Sequence, residues 1–279
     1  MSETTEKSTD QVEPFETLYL PVGDLEIDRR VQRQGINMAK VRAMVKKYNT
    51  GALGVITVSR RKDRSYVVID GQHRTEATRI RTSNTGTLKC HVFEGLTLAE
   101  EAQMFLDLNH TSKVPVIDSF KVLLNTDGPD GDTAREIQEI VGAYGFQISR
   151  VPANGNINAI NVVERIYALS KKLDAEPSLL QATVLVISRS WGNDRHGTQG
   201  AIIEGIGRMF AEYGSRIDLD RLEEAMKTYP GGAQSLIAEA IALAALRKGK
   251  VSMGVAELLV EAYNKGRRTK TLEAWRARK

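Results

Sequence analysis

The sequence predicts an α+β N-terminal domain followed by an all-helical C-terminal domain. Three observations carry this reading. Short β-branched runs alternate with amphipathic helical patterns from about residue 17 to 125. The stretch Asn125-Thr126-Asp127-Gly128-Pro129-Asp130-Gly131 then interrupts both periods with turn-forming residues. Beyond it, apolar residues recur at helical spacing almost to residue 265. The expected domains are therefore 17–125 and 132–265, between a disordered segment, 1–16, and a basic tail, 266–279.

Taken in order, Leu18–Val22 reads as a short edge strand, because Pro21 has no N–H to give to a neighbour. Asn37 is a fair N-cap, and Met38, Val41, Val45 and Tyr48 follow at helical spacing until Asn49-Thr50-Gly51. Val55–Val58 and Tyr66–Ile69 flank the charged turn Arg60–Arg64 and read as a hairpin. A helix follows Gly71 as far as Ile80 or Arg81, and Leu88–Phe93 is a further strand. Thr97 and Glu100 form a capping box for a helix that turns Ala102, Phe105 and Leu108 inward and ends near Asn109. Thr111–Pro115 is a turn, and Asp118 caps the next helix.

After the break, Asp132 caps a helix carrying Ile137, Ile140, Val141 and Tyr144 on one face. Further helices are expected over 159–172, 178–190, 200–213, 219–228, 233–248 and 255–263. The connection through Pro152 and Gly155 is longer than a helix-turn-helix prefers. The polar run Trp191–Gly197 reads as a helix–helix connection.

Composition narrows the function classes. A chain of 279 residues with 41% hydrophobic and 27% charged residues can bury a substantial core. No apolar run approaches the roughly 20 residues of a membrane span, and the polar N-terminus lacks a signal peptide's apolar core. The single cysteine, Cys90, excludes an internal disulfide and a cysteine-based zinc site, and a cytoplasmic location is expected. His73, His91, His110 and His196 show no metal-ligand spacing.

The net charge of +4 is unevenly spread. Arg29, Arg30, Arg33, Lys40, Arg42, Lys46 and Lys47 occupy residues 29–47 with no acid among them. Residues 261–279 carry seven bases and two acids. Two basic segments on a net-acidic body suit a polyanion, and DNA is the expected partner of the first.

The local chemistry converges on Tyr66–Ala77. A β-branched run meets Asp70-Gly71 and turns at once into a helix. A helix start exposes unpaired N–H groups and the positive end of the dipole. Gly71 allows close approach to the main chain, and Arg74 supplies a fork of donors. This is an anion site, with phosphate the natural ligand. It predicts that Arg74→Ala abolishes ligand binding and leaves the fold intact.

Asp70-Gly71-Gln72-His73-Arg74 also resembles the DGQHR signature of the ParB/sulfiredoxin-like superfamily, and most closely the DGQHR-type proteins of phages, mobile elements and DNA-modification systems. The order of elements in the first domain is similar to the ParB N-terminal arrangement, and Gln32-Arg33 looks like the end of its first box. The resemblance implies a DNA-associated protein with a pocket for a nucleoside triphosphate and Mg²⁺, and a homodimer as a further expectation. Its site residues carry over to Asp70, Gly71, Gln72, His73 and Arg74.

The third ParB box resembles E-N-x-x-R. Here Asn109 matches, while Leu108 and Ser112 stand where the acid and the arginine would be. That departure argues against CTP hydrolysis of the ParB kind and leaves Asn109, His110 and Lys113 for binding an anionic ligand. Gln72 takes the place of the sulfiredoxin cysteine, which excludes sulfinic-acid reduction. Two alternatives remain: a ParB-like nuclease or nucleotide triphosphatase with acids drawn from Asp70, Glu76 and Asp107, and a non-catalytic partner-binding module. The closing Tyr263-Asn264-Lys265-Gly266 resembles the "YN-x-G" end of DGQHR-type proteins.

Overall fold

Strands Glu16–Pro21 (β1), Leu25–Glu26 (β2), Ile56–Arg60 (β3), Tyr66–Asp70 (β4) and Thr87–Glu94 (β5) form one mixed sheet in the order β1-β5-β3-β4-β2. They belong to a computed structural model that describes residues 15–32, 35–109, 115–266, 268–269 and 271–275. The chain divides after Gly131 into two compact units.

In the first unit β1 pairs antiparallel with β5, β5 parallel with β3, β3 antiparallel with β4, and β4 parallel with β2. The hairpin register slips by one residue between Thr57 and Val58. Because side chains alternate along a strand, neighbours on β4 serve different cores. Val68 joins Leu20, Val22, Leu25, Ile56, Val58, Leu88, Cys90 and Val92 on one face. Ile69 joins Val31, Ala102, Phe105 and Val122 on the other. Each such aliphatic or aromatic burial is worth about 1.5–3 kcal/mol. Cys90 is one of these core residues, and burial pushes its thiol up to about 11.

Four helices complete the unit: Met38–Lys46 (α1), Gln72–Arg81 (α2), Leu98–Leu108 (α3) and Val116–Leu123 (α4). The Asn37 side chain caps α1 by accepting from the Lys40 N–H at 3.1 Å. The Thr97/Glu100 capping box opens α3. An ion network fastens the first turn of α3. Glu101, fully buried, takes the Arg61 guanidinium, and Arg61 also reaches Asp28 at 2.9 Å. Arg30 forks onto the same Asp28 and holds its carboxyl far below the usual carboxylate range.

Pro129–Ala143 (α5) runs across the division, and the second unit continues with Ile160–Leu173 (α6), Leu179–Trp191 (α7), Gly200–Tyr213 (α8), Leu219–Lys227 (α9), Gly232–Arg247 (α10) and Val251–Asn264 (α11). Helix α8 is its centre, burying Ile202, Ile203, Ile206, Met209 and Phe210 among α6, α7 and α11. Gly205 makes that packing close. A Cβ there would lie 2.7 Å from the Ser252 carbonyl oxygen on α11. The helical pattern did not announce one addition, a pair of two-residue parallel strands, Gln147–Ile148 (β6) and Asn156–Ile157 (β7).

Several local expectations are corrected. Leu108 does not turn inward; it is 48% exposed. Asp118 does not cap α4. The N-cap is Pro115, and Asp118 is buried in the first turn. Asp132 lies inside α5, which already begins at Pro129, because Pro fits the first turn of a helix. Glu16, read as the end of a disordered segment, opens β1; residues 1–14 lie outside the described residues. The tail is also less free than its charge suggests. Leu272 is buried, and the Asn264 side chain exchanges two hydrogen bonds with its backbone, both at 2.8 Å. The Tyr263-Asn264 pair of the closing motif is thus a clasp on the returning chain, with Arg221 stacked 4.0 Å over the Tyr263 ring.

Candidate functional site

Helix α2 starts in an unusual way. Its N-cap is Gly71 at φ +107°, with no side-chain cap, and the first helical bond runs from the Thr75 N–H to the Gly71 carbonyl. The N–H groups of Gln72, His73 and Arg74 therefore precede the intrahelical ladder and receive no capping side chain. Only glycine fits here. The backbone is left-handed, and a Cβ would meet Ile56 Cδ1 at 2.6 Å.

This helix start lines a cavity of 520 Å³. Asp70, Gly71, Gln72, His73 and Arg74 form one wall, Gln32, Lys40 and Met44 another, and Phe105, Leu108 and Asn109 a third. A hairpin end, two helix starts and a helix end thus meet around one space. The Gln32 amide fixes its own wall by donating to the Val68 carbonyl at 2.8 Å and to the Ile69 carbonyl. Asn37 fixes α1 against α2, its backbone N–H donating to His73 Nε2 at 3.2 Å. A neutral His73 making this bond carries its proton on Nδ1.

Two features point into the chemistry. The Gln72 side chain is buried, and its Oε1 has no hydrogen-bond partner. Such an orphan acceptor costs about 1–3 kcal/mol until something donates to it. Lys40 adds a cation from α1 to the partial positive charge of the α2 terminus.

Arg74 is more of a strut than its sequence position suggests. Its Nη1 donates to the Leu53 and Val55 carbonyls at 2.8 and 2.9 Å, and its Nη2 to Asp70 Oδ2 at 2.8 Å. Three of the five N–H donors of a guanidinium are committed to the fold. Asn109 is the C-cap of α3, and its amide donates to the Phe105 carbonyl at 2.8 Å.

Six of the eight residues expected at the pocket line one cavity. The other two, His110 and Lys113, lie outside the described residues, as does Arg33 of the basic segment. The described residues of the basic segment lie on the turn before α1, on α1 and just beyond it. Lys40 belongs to the cavity, Arg30 is engaged by Asp28, and Arg42, Lys46 and Lys47 stay exposed on and just beyond α1. Arg29 is exposed in the turn before it. The cavity's apolar wall, Met44, Phe105 and Leu108, was not legible as a site. Its signal was an ordinary helical stripe.

The acids around the turn do not assemble. Asp70 is bound by Arg74, Glu76 by Arg79 at 3.3 Å, and Asp107 by Gln103 at 2.9 Å. Among the described residues no three His, Cys, Asp or Glu side chains group as a metal cage. The N–H groups of the α2 start and the Lys40 ammonium suit an anion.

The profile of the Family of unknown function (DUF6551) matches residues 27–273. The chain belongs to that family. The matched span takes in both units, from the turn before α1 to the clasped residue Leu272. No curated protein matches the chain. Among solved structures, it is similar to the C-terminally truncated chromosome-partitioning protein ParB from Caulobacter crescentus complexed with CTP-γ-S. The two are 13% identical with a TM-score of 0.31, over 84% of this chain and 98% of that one. Among the described residues no helix is long and apolar enough to cross a membrane.

Proposed function

We propose that this protein binds a nucleoside triphosphate at the Asp70–Arg74 turn and uses that occupancy to regulate its association with DNA. The observation that carries the reading is the uncapped, glycine-started terminus of α2 lining a cavity with Lys40. In this reading the Gln72, His73 and Arg74 N–H groups and Lys40 take the phosphates. Asn109 closes the far side, and the reading assigns His110 and Lys113 to the same ligand. Mg²⁺ arrives with the triphosphate.

The DNA contacts fall to Arg29, Arg30, Arg33, Arg42, Lys46 and Lys47, beside Lys40 of the pocket. α1 joins the two activities, since Lys40 and Arg42 are two residues apart on one helix. The DGQHR-type assignment, a phage or mobile-element setting and a cytoplasmic location go with this reading, as does a homodimer. The nuclease and triphosphatase alternative is weaker, because Asp70, Glu76 and Asp107 are each engaged elsewhere.

The test is a thermal-shift screen of the four nucleoside triphosphates with Mg²⁺, with and without duplex DNA. A nucleotide at about 100 times its dissociation constant adds roughly 2.7 kcal/mol. A shift with at least one nucleotide, lost in Lys40→Glu, supports the reading. No shift with any of the four overturns it.

A further inference from the structure

The sheet of the first unit has a second surface that the α2 cavity does not use. Cα pairing of β1 with β5 sets Leu18 against Cys90 and Leu20 against Leu88 on the core face. The intervening pairs, Thr17 with His91 and Tyr19 with Lys89, therefore share the opposite face. That face is open. Tyr19 is 70% exposed and Phe15 41%, while Lys89 is exposed and His91 and Phe93 are half-buried. The Phe15 ring lies 4.2 Å from the His91 ring and 5.4 Å from the Phe93 ring. The result is an aromatic row, with Tyr19 standing one step along the strands from the Phe15–His91–Phe93 group.

Its charge is one-sided. Of the described strand residues on this face that are exposed or half-buried (Thr17, Tyr19, Pro21, Thr87, Lys89, His91 and Phe93), none is acidic. Glu16 and Glu94 alternate to the other face, where Arg60 holds Glu94 at 2.8 Å. Diagonal neighbours on a sheet stand about 7–8 Å apart, a spacing at which neighbouring rings each take one unstacked base. Rings with Lys89 directly opposite Tyr19, and no carboxylate among the described strand residues of this face, suit bases stacking on rings and a phosphate on the cation. A duplex, whose bases are already stacked inward, offers this face nothing that its backbone does not offer elsewhere.

We propose that this face of β1 and β5 binds single-stranded nucleic acid. Two or three bases lie on Tyr19 and the Phe15–His91–Phe93 group, and Lys89 meets the phosphate between them. The site is separate from the α2 cavity and does not depend on nucleotide.

The test is fluorescence anisotropy of the full-length chain, without nucleotide, against a labelled oligothymidylate and a blunt duplex. The expected result is oligothymidylate binding that Tyr19→Ala weakens roughly tenfold, that Tyr19→Phe keeps, and that Lys89→Ala weakens with a salt slope lower by about 1. Duplex affinity stays unchanged in all three variants. Tyr19 and Lys89 are exposed, so all three variants should melt like the parent. Three results overturn the proposal: no binding of the oligothymidylate, Tyr19→Ala binding it as the parent does, or Tyr19→Ala losing single strand and duplex to the same degree. A chain whose nucleotide screen fails can still pass this test, so the two readings fail separately.

Discussion

Helices α2 and α3 begin about 25 residues apart in one unit, and they treat the same physical problem in opposite ways. At α3, Thr97 and Glu100 satisfy each other's backbone donors, with bonds of 3.2 and 2.7 Å. Arg61 then ties Glu101 to Asp28. At α2, the N-cap is a left-handed glycine with no side chain to offer, and the donors line a cavity instead. A helix start that closes on itself is architecture. One that is left open next to a cation is what the proposed nucleotide site requires.

The sharpest way to break the contrast is Gly71→Ala. The left-handed backbone and the 2.6 Å approach to Ile56 Cδ1 together cost about 3 kcal/mol. Chemical denaturation should show that loss, and ligand binding should go with it. Arg74→Ala comes next. The sequence alone led us to expect a ligand residue whose loss spares the fold. With its bonds to Leu53, Val55 and Asp70, the substitution should cost about 2 kcal/mol of stability as well as affinity. An unchanged denaturation midpoint would show that these bonds contribute nothing.

Thr97→Ala provides the converse. It should lower stability by about 1 kcal/mol and leave nucleotide affinity alone, since the α3 start serves only itself. The pH dependence is the smallest effect and separates the two starts again. Asp28 is held below its ordinary value by Arg30 and Arg61, so its contribution is complete above about pH 4 and is lost as pH falls further. The melting temperature of the parent should therefore drop more steeply in acid than that of Asp28→Asn. Parallel acid profiles would remove Asp28 from the clamp beneath α3.

How much of this was legible beforehand follows the range of each interaction. The Asn37 cap, the Thr97 capping box and the start of α2 at Gly71 are set within a few residues, and the sequence displays them. So does the helical run of the second unit, where apolar spacing alone locates α8 at residues 200–213. The missed features of the candidate site are long-range. The 21-residue reach from Arg74 to the Leu53 carbonyl turns an apparent ligand residue into a strut. Lys40 is one more base in a basic run until α1 packs beside α2. Asp118 looks like a cap because a buried carboxylate and an exposed one read the same in a one-dimensional pattern. The two-residue strands β6 and β7 are too short to show any period.

Isothermal titration of the full-length chain with the nucleoside triphosphate selected by the thermal screen, and with its parent nucleoside, tests the α2 site most directly. If the open helix start recognises phosphate, the triphosphate binds at least about 100-fold more tightly than the nucleoside, a difference of about 2.7 kcal/mol, and Lys40→Ala narrows the gap. Equal affinities, or a gap untouched by Lys40→Ala, would mean that the α2 terminus is only the beginning of a helix.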